Sequence, residues 1–142
     1  MTLDGVEVPV LSYEWWSRPK RTTVKSYPGD HFRLDSLPRI PVPERPVTLS
    51  VVASTQPQRV ELKLFDTVSA DVPTGERHSI ECTQLCGTLT GRNTVTLRVT
   101  VPTTTKVAVV MLFWAVPLDQ AHPQSPVAAY DYASYAFRPE PQ

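Results

Sequence analysis

The chain has 142 residues, a hydrophobic content of 41%, a charged content of 20%, and 14 basic against 14 acidic side chains for a formal net charge of zero. That length fits one domain and that apolar content supports a packed core, which excludes global disorder. Zero net charge argues against a broad nucleic-acid-binding face and, since it gives little colloidal repulsion, suits a subunit held in an assembly.

The opening segment MTLDGVEVPV lacks a basic region followed by an apolar one, so no signal peptide is read. Synthesis in the cytoplasm follows, with a virion or other assembled particle as an expected destination. The longest apolar run, residues 107–116, is well short of the roughly 20 residues a membrane-spanning helix requires, so no membrane partner is expected. Ten Arg against four Lys, with a single Asn and two Ile, match the bias of a GC-rich genome.

Residues 1–17 read as an edge strand and an aromatic segment. Val6, Val8 and Val10 alternate with Glu7 and Pro9, and a proline is tolerated at a sheet edge. Residues 18–46 hold six prolines, yet also Val24, Tyr27, Phe32, Leu34, Leu37, Ile40 and Val42. Such a segment reads as an extended arm that is ordered only by docking, either on its own chain or on a neighbour.

Residues 47–117 carry the core strands. Val47, Leu49, Val51 and Ala53 alternate, as do Val60, Leu62 and Leu64 against Glu61 and Lys63. Residues 78–90 form a weaker strand pair or one bent strand, closed by the turn at Gly91, Arg92 and Asn93. Val95, Leu97, Val99 and Val101 face one way and Thr94, Thr96, Arg98 and Thr100 the other, a half-buried antiparallel strand. The run KVAVVMLFWAV is short, β-branched and aromatic, so it reads as a central strand buried on both faces. Residues 118–142 read as a second arm, with Pro123 and Pro126 before AAYDYASYAF. The whole is expected to be all-β, an antiparallel β-sandwich or a jelly-roll or Greek-key barrel with extended Pro-rich arms at both ends.

The sequence holds none of the common local signatures of nucleophilic, zinc-protease or nucleotide-binding sites, and no cofactor is expected. YPGDHFRLD gathers Asp30, His31, Arg33 and Asp35, but Pro-Gly-Asp is ordinary turn chemistry, so the chain is not expected to be an enzyme. His78, Cys82 and Cys86 give an H-x3-C-x3-C series without a visible fourth ligand. On an extended strand the two cysteines stand roughly 13 Å apart, and only a tight turn brings them together, so two buried free thiols are expected.

The segment SYEWWSRPKRTTVKSY interleaves Tyr13, Trp15, Trp16 and Tyr27 with Arg18, Lys20, Arg21 and Lys25. Aromatic faces stack on sugars and bases, but aromatics and arginine also mark protein interfaces. Tyr13, Trp15, Trp16, Arg18, Arg21, Tyr27, Tyr130, Tyr132, Tyr135 and Phe137 are therefore the candidate partner-binding residues, with one tryptophan expected to cap the sandwich. The functional expectation is a non-enzymatic assembly protein, such as a small capsid, capsid-decoration or other particle subunit, that forms a homo-oligomer or joins a larger protein assembly. The alternative is a monomeric carbohydrate-binding or adhesion module whose tryptophans and tyrosines meet a glycan.

Overall fold

A computed structural model describes residues 1–17, 22–30, 32–116 and 130–142. Among the described residues, twelve strands, β1 (Thr2–Leu3), β2 (Val6–Glu7), β3 (Val10–Ser17), β4 (Thr22–Ser26), β5 (Arg39–Val42), β6 (Val47–Val52), β7 (Arg59–Ser69), β8 (Val72–Cys82), β9 (Thr88–Thr90), β10 (Thr94–Val99), β11 (Val107–Ala115) and β12 (Tyr130–Pro141), are accompanied by one 3₁₀ turn, Leu34–Ser36. The smaller sheet runs β2-β1-β6-β10-β9 and the larger β4-β3-β12-β11-β7-β8, both antiparallel, with β5 added parallel to the end of β12. All-β architecture with a two-sheet, sandwich-like core follows.

The period-2 patterns explain the core. Val47, Leu49 and Val51 from β6 and Val95 and Val99 from β10 meet Val60, Leu62 and Leu64 from β7 and Ala108, Val110 and Leu112 from β11 in one buried cluster. The registers align these faces, since Leu97 stands opposite Leu49 and Val110 opposite Leu62. Residues of opposite parity on β7 and β11 form the outer face of the larger sheet.

Two segments read as arms are built into the sheets. Within 18–46, β4 is an edge strand, Ile40 and Val42 enter the main core, and Leu34 and Leu37 cover Val107 and Ala136 on the outer face. This stretch therefore docks on its own chain at those positions. The C-terminal segment departs further from expectation, because β12 lies between β3 and β11 in the larger sheet rather than at its periphery. Its sequence alternates, Ala133, Tyr135 and Phe137 turning into the core while Tyr132, Ser134 and Ala136 take the other face. Pro139 and Pro141 fall where β12 has left β3 and pairs only with the short β5.

Turns follow left-handed residues. Asp4 and Gly5 (φ 45° and 85°) close the β1–β2 hairpin, while Ala70 and Asp71 (φ 49° and 61°) close β7–β8. The expected turn before β10 is present, with Asn93 at φ 52° and its N–H donating to Thr90 O at 3.1 Å.

The cysteine expectation is overturned: Cys82 and Cys86 form a disulfide, with Cα atoms 5.6 Å apart. A tight turn brings them together, in which Leu85 (φ 42°) and Gly87 (φ 76°) are left-handed. The loop is fastened to the segment before β7 by Cys86 N–H donating to Pro57 O at 2.7 Å and by the Gln56 side-chain amide donating to Gly87 O. His78 turns instead to Glu61, so the H-x3-C-x3-C residues do not converge as ligands. Among the described residues no group of three or more His, Cys, Asp or Glu is placed to hold a metal.

Candidate functional site

Of the ten residues singled out by sequence, the eight that are described divide between two surfaces and the core. Phe137 is 0% exposed, which corrects its reading as a partner-binding residue: it is core. Tyr13 packs against the same core from the edge of the cluster. Arg18, Arg21 and His31 lie outside the described residues.

Trp15, Trp16 and Tyr135 line a cleft of about 620 Å³ at one end of the two-sheet core, together with Trp114 and Asp131. All three tryptophans of the chain thus meet one cavity. Trp15 is the tryptophan that caps the core, stacking on Trp114 with ring centroids 5.1 Å apart and planes inclined by 41°. The Trp114 indole N–H donates to Thr55 O at 3.0 Å, which satisfies its polar edge and holds the ring in place. Ser17, Ser54 and Thr55 supply polar rim groups, while Val51 and Ala53 extend the apolar floor.

Asp131 is the acid of this lining. One oxygen, Oδ1, accepts the Trp16 backbone N–H at 2.8 Å. Burial raises the carboxyl above its ordinary range and the nearby Glu14 charge adds to the rise, whereas the Trp16 hydrogen bond opposes both. Tyr135 is also raised by burial, so it presents a neutral phenol. The lining thus combines indole faces, hydroxyls and one partly desolvated carboxyl group.

The remaining candidates lie on the outer face of the larger sheet. Phe113 on β11 makes an edge contact with Tyr130 (centroids 6.2 Å, 80°) and a tilted one with Tyr132 (6.3 Å, 39°). Tyr27 donates its hydroxyl to Glu14 Oε2 at 2.8 Å, which favours the neutral phenol and pushes its pKa up. Lys25 lies 5.9 Å from the Tyr27 ring centroid. At the other side Arg59 sits 5.9 Å from the Phe113 ring, and its Nε contacts Glu61 Oε1. Glu61, only 5% exposed, meets His78 Nε2 at 2.6 Å through its other oxygen.

Sequence reasoning missed Trp114, Asp131, Phe113, Arg59 and Glu61 as members of these surfaces. Trp114 was hidden inside the most apolar run, and Asp131 inside the tail. Only the pairing of β12 with β3 and β11 assembles them. In comparisons with known proteins, no family model, no curated protein and no solved structure matches the chain.

Proposed function

We propose that this chain is a non-catalytic binding module that holds a glycan-type ligand in the cleft formed by Trp15, Trp16, Trp114, Tyr135 and Asp131. The observation that carries the reading is the meeting of all three tryptophans at one open cavity rimmed by hydroxyls. Indole faces stack on the C–H face of a pyranose, and Asp131, Ser17, Ser54 and Thr55 accept or donate at its hydroxyls. Asp131 is the lone carboxylate among the described lining residues, whereas hydrolysis of a glycosidic bond ordinarily uses a pair of them. That favours recognition over cleavage. Titration of the intact chain with soluble oligosaccharides, followed by tryptophan fluorescence and acrylamide quenching, tests it. Saturable protection that W16A weakens supports the cleft; no protection by any glycan tried would overturn it.

A second reading, the assembly or particle subunit, draws on a different observation. The outer face of the larger sheet has an aromatic centre (Phe113, Tyr130, Tyr132) with charged groups on both sides (Lys25 and Glu14; Arg59, Glu61 and His78), the layout of a protein interface. We read the connectivity as Greek-key-like because β6 to β7 and β10 to β11 change sheets and β12 returns between β3 and β11.

A further inference from the structure

We propose that the tryptophan cleft is one half of a longer groove across the end of the two sheets, and that its ligand is a neutral, linear oligosaccharide running from Trp15 past Trp114 to Leu89. This course rests on the glycan reading of the cleft and adds the ligand's length, direction and charge to it.

A second hollow of about 370 Å³ adjoins the cleft and shares Thr55, Trp114 and Ala115 with it. The order of the strands places the two end to end. β3, β12 and β11 are successive in the larger sheet, and β6, β10 and β9 are successive in the smaller one. The cleft meets the ends of β3, β6 and β12 at Ser17, Val52 and Asp131. The hollow instead meets Leu89 on β9 and Gln58, which leads into β7. β11 belongs to both through Trp114 and Ala115. A ligand that follows the gap between the sheets therefore passes from the cleft into the hollow across the Thr55–Trp114 contact. A single sugar unit fills one of them, and a chain fills both.

The hollow carries sugar-binding chemistry of its own. Leu85 and Leu89 are 60% and 40% exposed, apolar surface that the C–H face of a pyranose covers. Leu85 stands in the loop closed by the Cys82–Cys86 disulfide, and the Gln56 amide fastens that loop by donating to Leu85 O at 3.2 Å and to Gly87 O. That wall is in place before a ligand arrives, which removes the entropy cost of ordering it on binding. With its N–H groups engaged in this way, Gln56 keeps its amide oxygen to accept a hydroxyl. The half-buried Gln58 side chain has no partner among the described residues and offers both a donor and an acceptor. Its backbone N–H donates to Phe113 O at 2.7 Å, so the amide extends from a fixed point. None of the described residues lining the hollow is charged, which suits a neutral chain and gives an ionic one no partner.

The test is a titration of the full chain with cello-oligosaccharides and N-acetylchito-oligosaccharides, from the monosaccharide to the hexasaccharide, followed by calorimetry and tryptophan quenching. Affinity should rise by roughly tenfold between the disaccharide and the longer chains, then level off once both halves of the groove are filled. Q58A and L89A, with unchanged β circular dichroism, should remove that gain and leave disaccharide binding as it is. W16A should weaken every length alike. A flat length profile would overturn the groove and leave the cleft reading in place. Losses from Q58A and L89A that are equal for disaccharide and hexasaccharide would overturn it too, since they would report a general change in the fold. Binding by no member of either series would remove the cleft reading and the groove together.

Discussion

Trp15 on β3 and Trp114 on β11 stack at 5.1 Å although their strands are not neighbours, because β12 runs between them with small Ala133 and short Asp131 at that level. Two large rings close over a strand that offers little volume there. Trp114 is buried and its indole N–H is bonded. Truncating it to alanine removes a buried aromatic and leaves a cavity, so W114A costs about 3–5 kcal/mol. W114F retains most of the packing but abandons Thr55 O, and loses less. Urea unfolding followed by far-UV circular dichroism measures both; an unchanged midpoint for W114A would show that the stack contributes nothing.

The disulfide between Cys82 and Cys86 joins the end of the larger sheet's edge strand to the loop entering β9. It closes a very short loop, for which the chain-entropy relation gives roughly 2 kcal/mol of stabilisation. A reductant, or the double replacement C82S/C86S, lowers the unfolding free energy by about that amount, read as a lower urea midpoint. Thiol titration of the denatured, unreduced chain should find no reactive cysteine. Two reactive thiols would mean that the bridge does not form in the folded protein.

Gly87 is the residue that makes that loop possible. Its φ of 76° is left-handed, and a Cβ there would lie 2.5 Å from Thr96 O and 3.0 Å from Val95 Cγ1. Alanine therefore incurs about 1–2 kcal/mol of backbone strain plus about 1–3 kcal/mol of overpacking against a backbone atom that has little room to shift. G91A, where nothing lies within 4 Å and φ is ordinary, should be nearly silent. Equal losses at the two positions, read from thermal or urea unfolding, would refute the packing argument.

The strands legible in the sequence are β6, β7 and β10, whose uninterrupted alternation of one polar and one apolar face dictates both conformation and register, and β11, legible as a short apolar run rich in β-branched and aromatic residues. β12 escaped because prolines surround it and because its core face uses Ala133 alongside Tyr135 and Phe137, so its aromatics looked like an exposed series. Its alternation was nonetheless present. The disulfide escaped for a different reason: four residues of extended chain cannot bridge two sulfurs, and the signal that the chain turns there was the single Gly87. The cleft was only half visible. Trp15 and Trp16 stood out among charged neighbours, whereas Trp114 and Asp131 join them through strand pairing, which no local pattern encodes.

Asp131 gives the cleft a pH signature whose sign can be worked out. Burial, seconded by Glu14, raises its carboxyl above the ordinary 3.8, so the folded chain holds this proton more tightly than the unfolded chain. Where the folded state binds more protons, stability falls as pH rises. The contribution of Asp131 is therefore most favourable below pH 3.8, declines as pH climbs from there through the raised folded value, and is flat above it. D131N keeps an acceptor for the Trp16 N–H while removing the charge. The stability of wild type minus that of D131N, from urea unfolding at closely spaced pH values from 3 to 7, should fall through that window and then level off. E14Q, which removes the neighbouring negative charge, should narrow the window from its upper end. A difference that rises with pH would place the carboxylate in a site that stabilises its ionised form, and the polarity assigned to the cleft would have to be reversed.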